Sequence, residues 1–319
     1  PYALAQIIDA LRNNPDCCFL YTDEIIADGA LRPLDCFLKP VWDPVLLSGV
    51  NYINHLALYR RDRLLEIGGL RSGFEGSQDY DLVLRYTAGL AEGNILHLPY
   101  PAYVWRRDGR SYSARFIKQA TEAARKALGE RYATNGDPAP VGEATAGNLH
   151  RIRFDQMKRD WPEVSVIIPS RDQLTLISKT LAGLLNGTDY PSLEVIVVDN
   201  GSTDQAVLDL YAHYAQVNRR FRVIMREEPF NFSRSVNRGL DLATGSMVLL
   251  LNNDIEVTAA DWLKEMVSCM DYSGVGVVGA KLLYPDRKIQ HAGVIVGFGH
   301  LAGHWYVGEA ADFPGPMGR

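Results

Sequence analysis

The feature that most constrains this chain is a series of short apolar runs, each closed by polar residues, beginning at Val164. They read VSVIIP at 164–169, EVIVVDN at 194–200, FRVIM at 221–225, MVLLLNND at 247–254 and GVGVVGAKLL at 274–283. Apolar runs without alternation suit strands covered on both faces, as in a parallel sheet. Between the runs, Leu174, Ile177, Leu181 and Leu184, then Leu263, Met266, Val267 and Met270, keep the spacing of one helical face. Strand alternating with helix predicts a Rossmann-like α/β layer.

The first third is α/β too, but less regular. It reads as a helix near 2–13, a strand near 17–22 and the cluster GGLRSGFEGSQDYDLVLR at 68–85, helical at its end. Residues 113–132 form a charged, Ala-rich helix, and 133–150 have the Gly, Pro and Ala content of a flexible linker, where we place the domain boundary. Without gaps, Leu4, Ile7, Ile8 and Leu11 match Leu263, Met266, Val267 and Met270, and CCFLYTDE from Cys17 falls opposite GVVGAKLL from Gly276. The start of the chain thus repeats the middle of its second domain. Pro1 is not an initiator Met and no leader follows it, so the chain reads as a fragment.

Composition narrows the function classes. A net charge of −5 with no basic cluster argues against nucleic acid. No apolar run approaches a membrane span, so any membrane association is expected to be peripheral or carried by sequence outside this chain. Cys17, Cys18, Cys36 and Cys269 lack C-x-x-C spacing and read as free thiols of a reducing, cytoplasmic setting.

Open parallel sheets bind ligands at the carboxyl ends of their strands. Three polar ends converge there: Pro169, Ser170, Arg171 and Asp172; Asp199, Asn200, Gly201, Ser202, Thr203 and Asp204; and Asn252, Asn253 and Asp254. Local chemistry alone explains the second group as an Asx turn and helix cap. The functional alternative makes Asp199 an acceptor for a nucleobase or ribose, with Ser202 or Thr203 starting the helix. For 252–254 the bland reading is polar punctuation after a strand. The other is a variant D-x-D cluster, in which Asp254 alone holds Mg²⁺ or Mn²⁺ against a diphosphate while Asn252 and Asn253 offer amides to the sugar or ribose. Asn231, Phe232, Ser233, Asn237 and Gly239 either place donors near a diphosphate or form a helix capped by Ser233 and packed through Phe232 and Val236. His300 and His304, four apart, together with His291, lack a zinc-binding context.

VSVIIPSRD, VIVVDNGSTD, NFSRSVNRG and LLLNND, in this order, resemble the front half of family 2 glycosyltransferases with the GT-A fold. KLLYPDRKIQHAGVIVGFGHLAGH resembles the continuation in tandem bacterial enzymes that build surface polysaccharides such as O-antigen. The resemblance implies a mixed, GT-A-type sheet flanked by helices in two partial copies: 1–115 the back of a first domain, 116–160 helix and linker, 161–319 the nucleotide-sugar-binding front of a second. In the first copy SQDYDLVLR resembles the motif that supplies the catalytic base, which implies that role for Asp79, although Gln78 stands where the family has Glu. As plain chemistry, Asp79 and Asp81 are also helix-start acids favoured by the macrodipole. LPYPAYVWR resembles the strand and Trp-Arg that follow, Trp105 and Arg106 here.

The implied reaction is an inverting transfer from a nucleoside-diphosphate sugar, UDP or dTDP, to a hydroxyl of a glycan or lipid-linked glycan, aided by a divalent metal at Asp254. Asp79 and the donor residues belong to different copies, so the isolated chain is expected to be inactive. An NAD-binding dehydrogenase would share the strand and helix alternation, but PSRDQ stands where G-x-G-x-x-G belongs. A non-catalytic nucleotide-sugar-binding or scaffolding module is the other reading.

Overall fold

The computed structural model describes residues 2–106, 116–297 and 301–315. It divides into two compact units, one of residues 1–157 with 280–319 and one of residues 158–279.

In the first unit, helix α1 (Tyr2–Asn13) leads into β1 (Phe19–Ala27), followed by β2 (Pro33–Phe37), α2 (Pro44–Gly49), β3 (Ala57–Tyr59), α3 (Arg61–Glu66), α4 (Gln78–Thr87) and β4 (Ile95–Arg106). β1 is the spine. It pairs in parallel with β4 along its length, and antiparallel with β3 through Phe19–Tyr21 and with β2 from Glu24 onward. Phe19, Tyr21, Tyr52 and Tyr86 are fully buried around it. Helix α5 (Ile117–Arg131) lays Ala120, Ala123, Ala124, Ala127 and Leu128 inward. Residues 133–150, expected as a flexible linker, are folded back: β5 (Val141–Glu143) pairs with β6 (His150–Ile152), and Ala139 N donates to Gly129 O at 3.0 Å. Composition missed this because within 133–150 only Ala139, Leu149 and His150 are buried.

The second unit holds β7 (Val164–Ser170), α6 (Leu174–Asn186), β8 (Leu193–Asp199), α7 (Gln205–Val217), β9 (Phe221–Met225), α8 (Phe232–Leu240), β10 (Met247–Leu250) and α9 (Trp262–Ser268). Its sheet runs β10-β7-β8-β9, every pair parallel. β7 and β8 are covered on both faces, which is why they read as unbroken apolar runs, whereas Val248 and Leu250 of β10 are exposed. Val166, Ile168, Val195 and Val197 pack with Ile177, Leu181 and Leu184 of α6, Val207 and Tyr211 of α7, and Leu263 and Val267 of α9. Ile167, Ile196 and Val198 form the core of the other face. There α8 comes so near that a Cβ at Gly239 would lie 2.4 Å from Ile167. The expected mixed α/β architecture, a parallel sheet flanked by helices, is present.

One expected strand is not. Of GVGVVGAKLL only Leu282–Leu283, β11, is extended and paired, with β12 (Ile289–His291). Val277 stands 90% exposed and Gly274 takes φ +83°. CCFLYTDE is therefore mostly strand and GVVGAKLL mostly is not, although each follows a helix, α1 and α9. A second hairpin, β13 (Val294–Val296) with β14 (Ala302–His304), completes the described chain.

Candidate functional site

The order β9-β8-β7-β10 reverses direction at β7, whose chain successor β8 lies on one side and β10 on the other. At such a switch point the loops leave a crevice beyond the strand ends. Ser170 closes β7, and its Oγ accepts from Asn253 Nδ2 at 3.1 Å across the switch. Its carbonyl accepts from Asn200 N at 2.8 Å. Thr180 Oγ1 of α6 lies 2.9 Å from the carbonyls of both Asn253 and Ile255, which holds the 252–255 turn down. Three of the polar strand ends are thus joined by hydrogen bonds.

Asp199 is fully buried, and its oxygens have donors of their own. Ser202 N reaches Oδ1 at 2.6 Å, while Ser202 Oγ at 2.5 Å and Tyr211 Oη at 3.0 Å reach Oδ2. Burial first, then the neighbouring Asp199 charge, pushes the Tyr211 phenol well above its ordinary range, keeping it a donor. The turn is closed by Gly201 at φ +79°, a conformation that favours glycine. The helix does not start at Ser202 or Thr203 as expected. It starts at Gln205 with Asp204 as N-cap, because Asp199 engages Ser202 and because Asp172 Oδ1 accepts from the backbone N of Thr203 at 2.8 Å and Asp204 at 3.1 Å. Those N–H groups, Asp204 first, hold the Asp172 carboxyl below the usual carboxylate range. Asp172 N in turn donates to Ser202 Oγ at 2.6 Å, so the loops after β7 and β8 lock to each other. Tyr211 escaped the sequence reading because its place on the inward face of α7, with Val207 and Tyr214, marks it as core.

Asn200 is buried and donates through Nδ2 to Glu228 O at 2.8 Å. The Glu228 carboxylate pairs with Arg238 at 2.9 Å and Arg234 at 3.6 Å, both on α8. The N-cap of α8 is Asn231, accepting from Arg234 N at 2.9 Å, rather than Ser233. Val236 is buried there and Phe232 is exposed. Arg171, Asn231, Asn237, Asn252 and Asp254 are all exposed, whereas Pro169 lies in the β7 ladder opposite Val198. Among the described residues nothing engages the Asp254 side chain, and no group of three His, Cys, Asp or Glu could hold a metal unaided. A single free carboxylate suits Mg²⁺ or Mn²⁺, which complete their shells with phosphate oxygens and water.

In the first unit, Asp79 is the second residue of α4, exposed, its Oδ2 accepting from Asn51 Nδ2 at 3.2 Å. Asp81 is different in kind. It is buried between Arg71, 2.6 Å away, and Arg85, 2.9 Å away, and although burial raises its pKa these two guanidinium groups bring it below the ordinary value. Trp105 and Arg106 end β4, and His300 lies outside the described residues.

With that geometry in place, comparison with known proteins gives a direct result. Residues 165–294 match glycosyl transferase family 2. The family 2 match runs from the first residues of β7 into β13. An uncharacterized protein of Sinorhizobium fredii is 40% identical over 320 residues, covering 98% of this chain and 35% of its own. The O-antigen biosynthesis protein RfbC of Myxococcus xanthus is 38% identical over 306 residues, 95% of this chain and 24% of its own. The chain thus spans about a third or less of these relatives' lengths. Among solved structures, a mannosyltransferase from Pyrobaculum calidifontis in complex with GDP-Man and Mn²⁺ is 27% identical over 39% of each chain, with a TM-score of 0.33. Among the described residues no helix is long and apolar enough to cross a membrane.

Proposed function

We propose that residues 164–254 bind the donor of an inverting, metal-dependent glycosyl transfer, a nucleoside-diphosphate sugar carrying UDP or dTDP. The acceptor is a hydroxyl of a growing glycan or lipid-linked glycan. The observation that carries this is the bond from Asn253 to Ser170 across the switch point, which joins two polar strand ends with Asp254 free beside them. The family 2 match and the likeness to an O-antigen biosynthesis protein support sugar transfer in polysaccharide assembly. The site would work in the cytoplasm, at the inner face of the membrane where lipid-linked acceptors reside, and transfer a hexosyl-type sugar.

Residue roles follow from burial. Asp199 and Ser202, spent on each other, shape the turn, and the exposed Arg171, Asn231, Asn237 and Asn252 meet the donor. A divalent ion bound at Asp254 would offset charge developing on the leaving diphosphate. Asp79 is the base by resemblance, drawing the proton from the acceptor hydroxyl as it attacks the anomeric carbon, a role worth roughly 10²- to 10⁴-fold in rate. Donor residues and Asp79 belong to different copies, so the chain alone binds the donor without transferring it.

The test is a saturation-transfer NMR panel of UDP-sugars, dTDP-sugars and NAD against the chain, with a transfer assay beside it. Signal from the nucleotide sugars and none from NAD is expected. NAD binding in their place would sink the donor assignment, and transfer that is lost on Asp79→Asn would sink the inactivity of the isolated chain.

A further inference from the structure

The first unit contains a side-chain pair that the reading above does not use. His291 ends β12 and His304 ends β14, and their Nδ1 atoms lie 2.8 Å apart with the rings nearly perpendicular, at 84°. The backbone beneath them is fixed. Trp305 N donates to Gly293 O at 3.0 Å, Gly308 N to Ile289 O at 2.9 Å and Ile289 N to Glu309 O at 2.8 Å, while β14 is laddered to β13 and β12 to β11. The imidazoles are held by paired backbone on either side and not by a loop.

We propose that His291 and His304 are a two-imidazole site for one borderline divalent ion, of the class of Zn²⁺, Ni²⁺ or Cu²⁺. Nitrogens bound to one such ion at about 2.0–2.1 Å stand about 2.9 Å apart when they meet it at a right angle and about 3.3 Å apart in a tetrahedron. The observed 2.8 Å needs a few tenths of an ångström of opening. In the metal-free chain the same separation is that of one imidazole N–H donating to the other ring, so the pair is pre-aligned by a bond the ion replaces. Imidazole nitrogens select these ions over Mg²⁺ and Mn²⁺, which prefer oxygen. Among the described residues no third His, Cys, Asp or Glu completes the shell. The remaining positions are left for water or for an exchangeable ligand, with one protein ligand fewer than the three of catalytic zinc sites.

Calorimetric titration of ZnCl₂ into the full chain tests this, together with NMR of the imidazole resonances of its seven histidines. One ion per chain is expected, with shifts confined to two histidines and excess Mg²⁺ failing to compete. His291→Gln and His304→Gln should each weaken binding at least about 10-fold, since losing even an outer-shell partner of a metal ligand costs about 10- to 100-fold. Absence of saturable Zn²⁺ binding by the folded chain, shifts at other histidines, or unchanged affinity in either variant would overturn the proposal. The wild-type spectra decide it even if a variant does not fold.

Discussion

Asp199 shows what one residue's type reveals and what only its surroundings decide. Asp, Asn, Gly, Ser and Thr after an apolar run mark a turn at a strand end, and that was legible. Whether the carboxylate faces a ligand depends on a phenol twelve residues later and on Ser202 turning back, neither of which leaves a pattern in the sequence. Three donors satisfy it inside, so its removal takes the acceptor from Ser202 and leaves Tyr211 only the longer bond to Ser170 Oγ at 3.4 Å. Asp199→Ala is expected to cost about 1.5–3 kcal/mol, the range for hydrogen bonds to a buried charge. Tyr211→Phe, which removes one of the three bonds, should cost about 1 kcal/mol. Denaturant unfolding of both variants measures this, and a loss near zero for Asp199→Ala would mean that the carboxylate is not engaged as described. Loss of nucleotide binding in Asp199→Ala consequently reports on the turn and not on direct contact.

At the scale of elements, continuous apolar runs identified β7, β8, β9 and β10 because each is covered on both faces or laddered to a neighbour that is. GVGVVGAKLL has the same composition and is not a strand before Leu282, since apolar content signals burial while a strand also requires a ladder partner. Among the described residues 274–281 have none. The same limit hid β5 and β6, whose residues look like linker and are ordered by packing against α5. Gly239 is an element-scale feature too: α8 sits on Ile167 with no room for a methyl. Alanine is the better helix former by about 1 kcal/mol. Overpacking against a buried strand side chain nevertheless costs roughly 1–3 kcal/mol, so the clash prevails. Gly239→Ala should be destabilising, and the double variant with Ile167→Ala should lose less than the sum of the single losses, the sign of direct contact. Simple additivity in equilibrium unfolding would contradict that packing.

On the scale of the whole molecule, the sequence pointed to a family 2 segment and to a repeated architecture, and the two carry different weight. The crevice proposed for the donor is built entirely within residues 158–279, from a sheet whose order and polar ends are both observed. The base assignment at Asp79 rests on resemblance, and Asp79 belongs to the other unit. The chain also spans about a third or less of its relatives' lengths. In the proposed function the crevice binds a nucleoside diphosphate through a metal at Asp254. Calorimetric titration of UDP and dTDP into the chain, with and without Mn²⁺, tests it most directly when repeated on Asp254→Ala, because this exposed side chain supports no other contact. Saturable binding that requires Mn²⁺ is expected, weakened at least about 10-fold in the variant, since losing even an outer-shell partner costs about 10- to 100-fold. Binding that ignores the metal, binding that survives Asp254→Ala, or a folded wild-type chain that takes up neither nucleotide would contradict it.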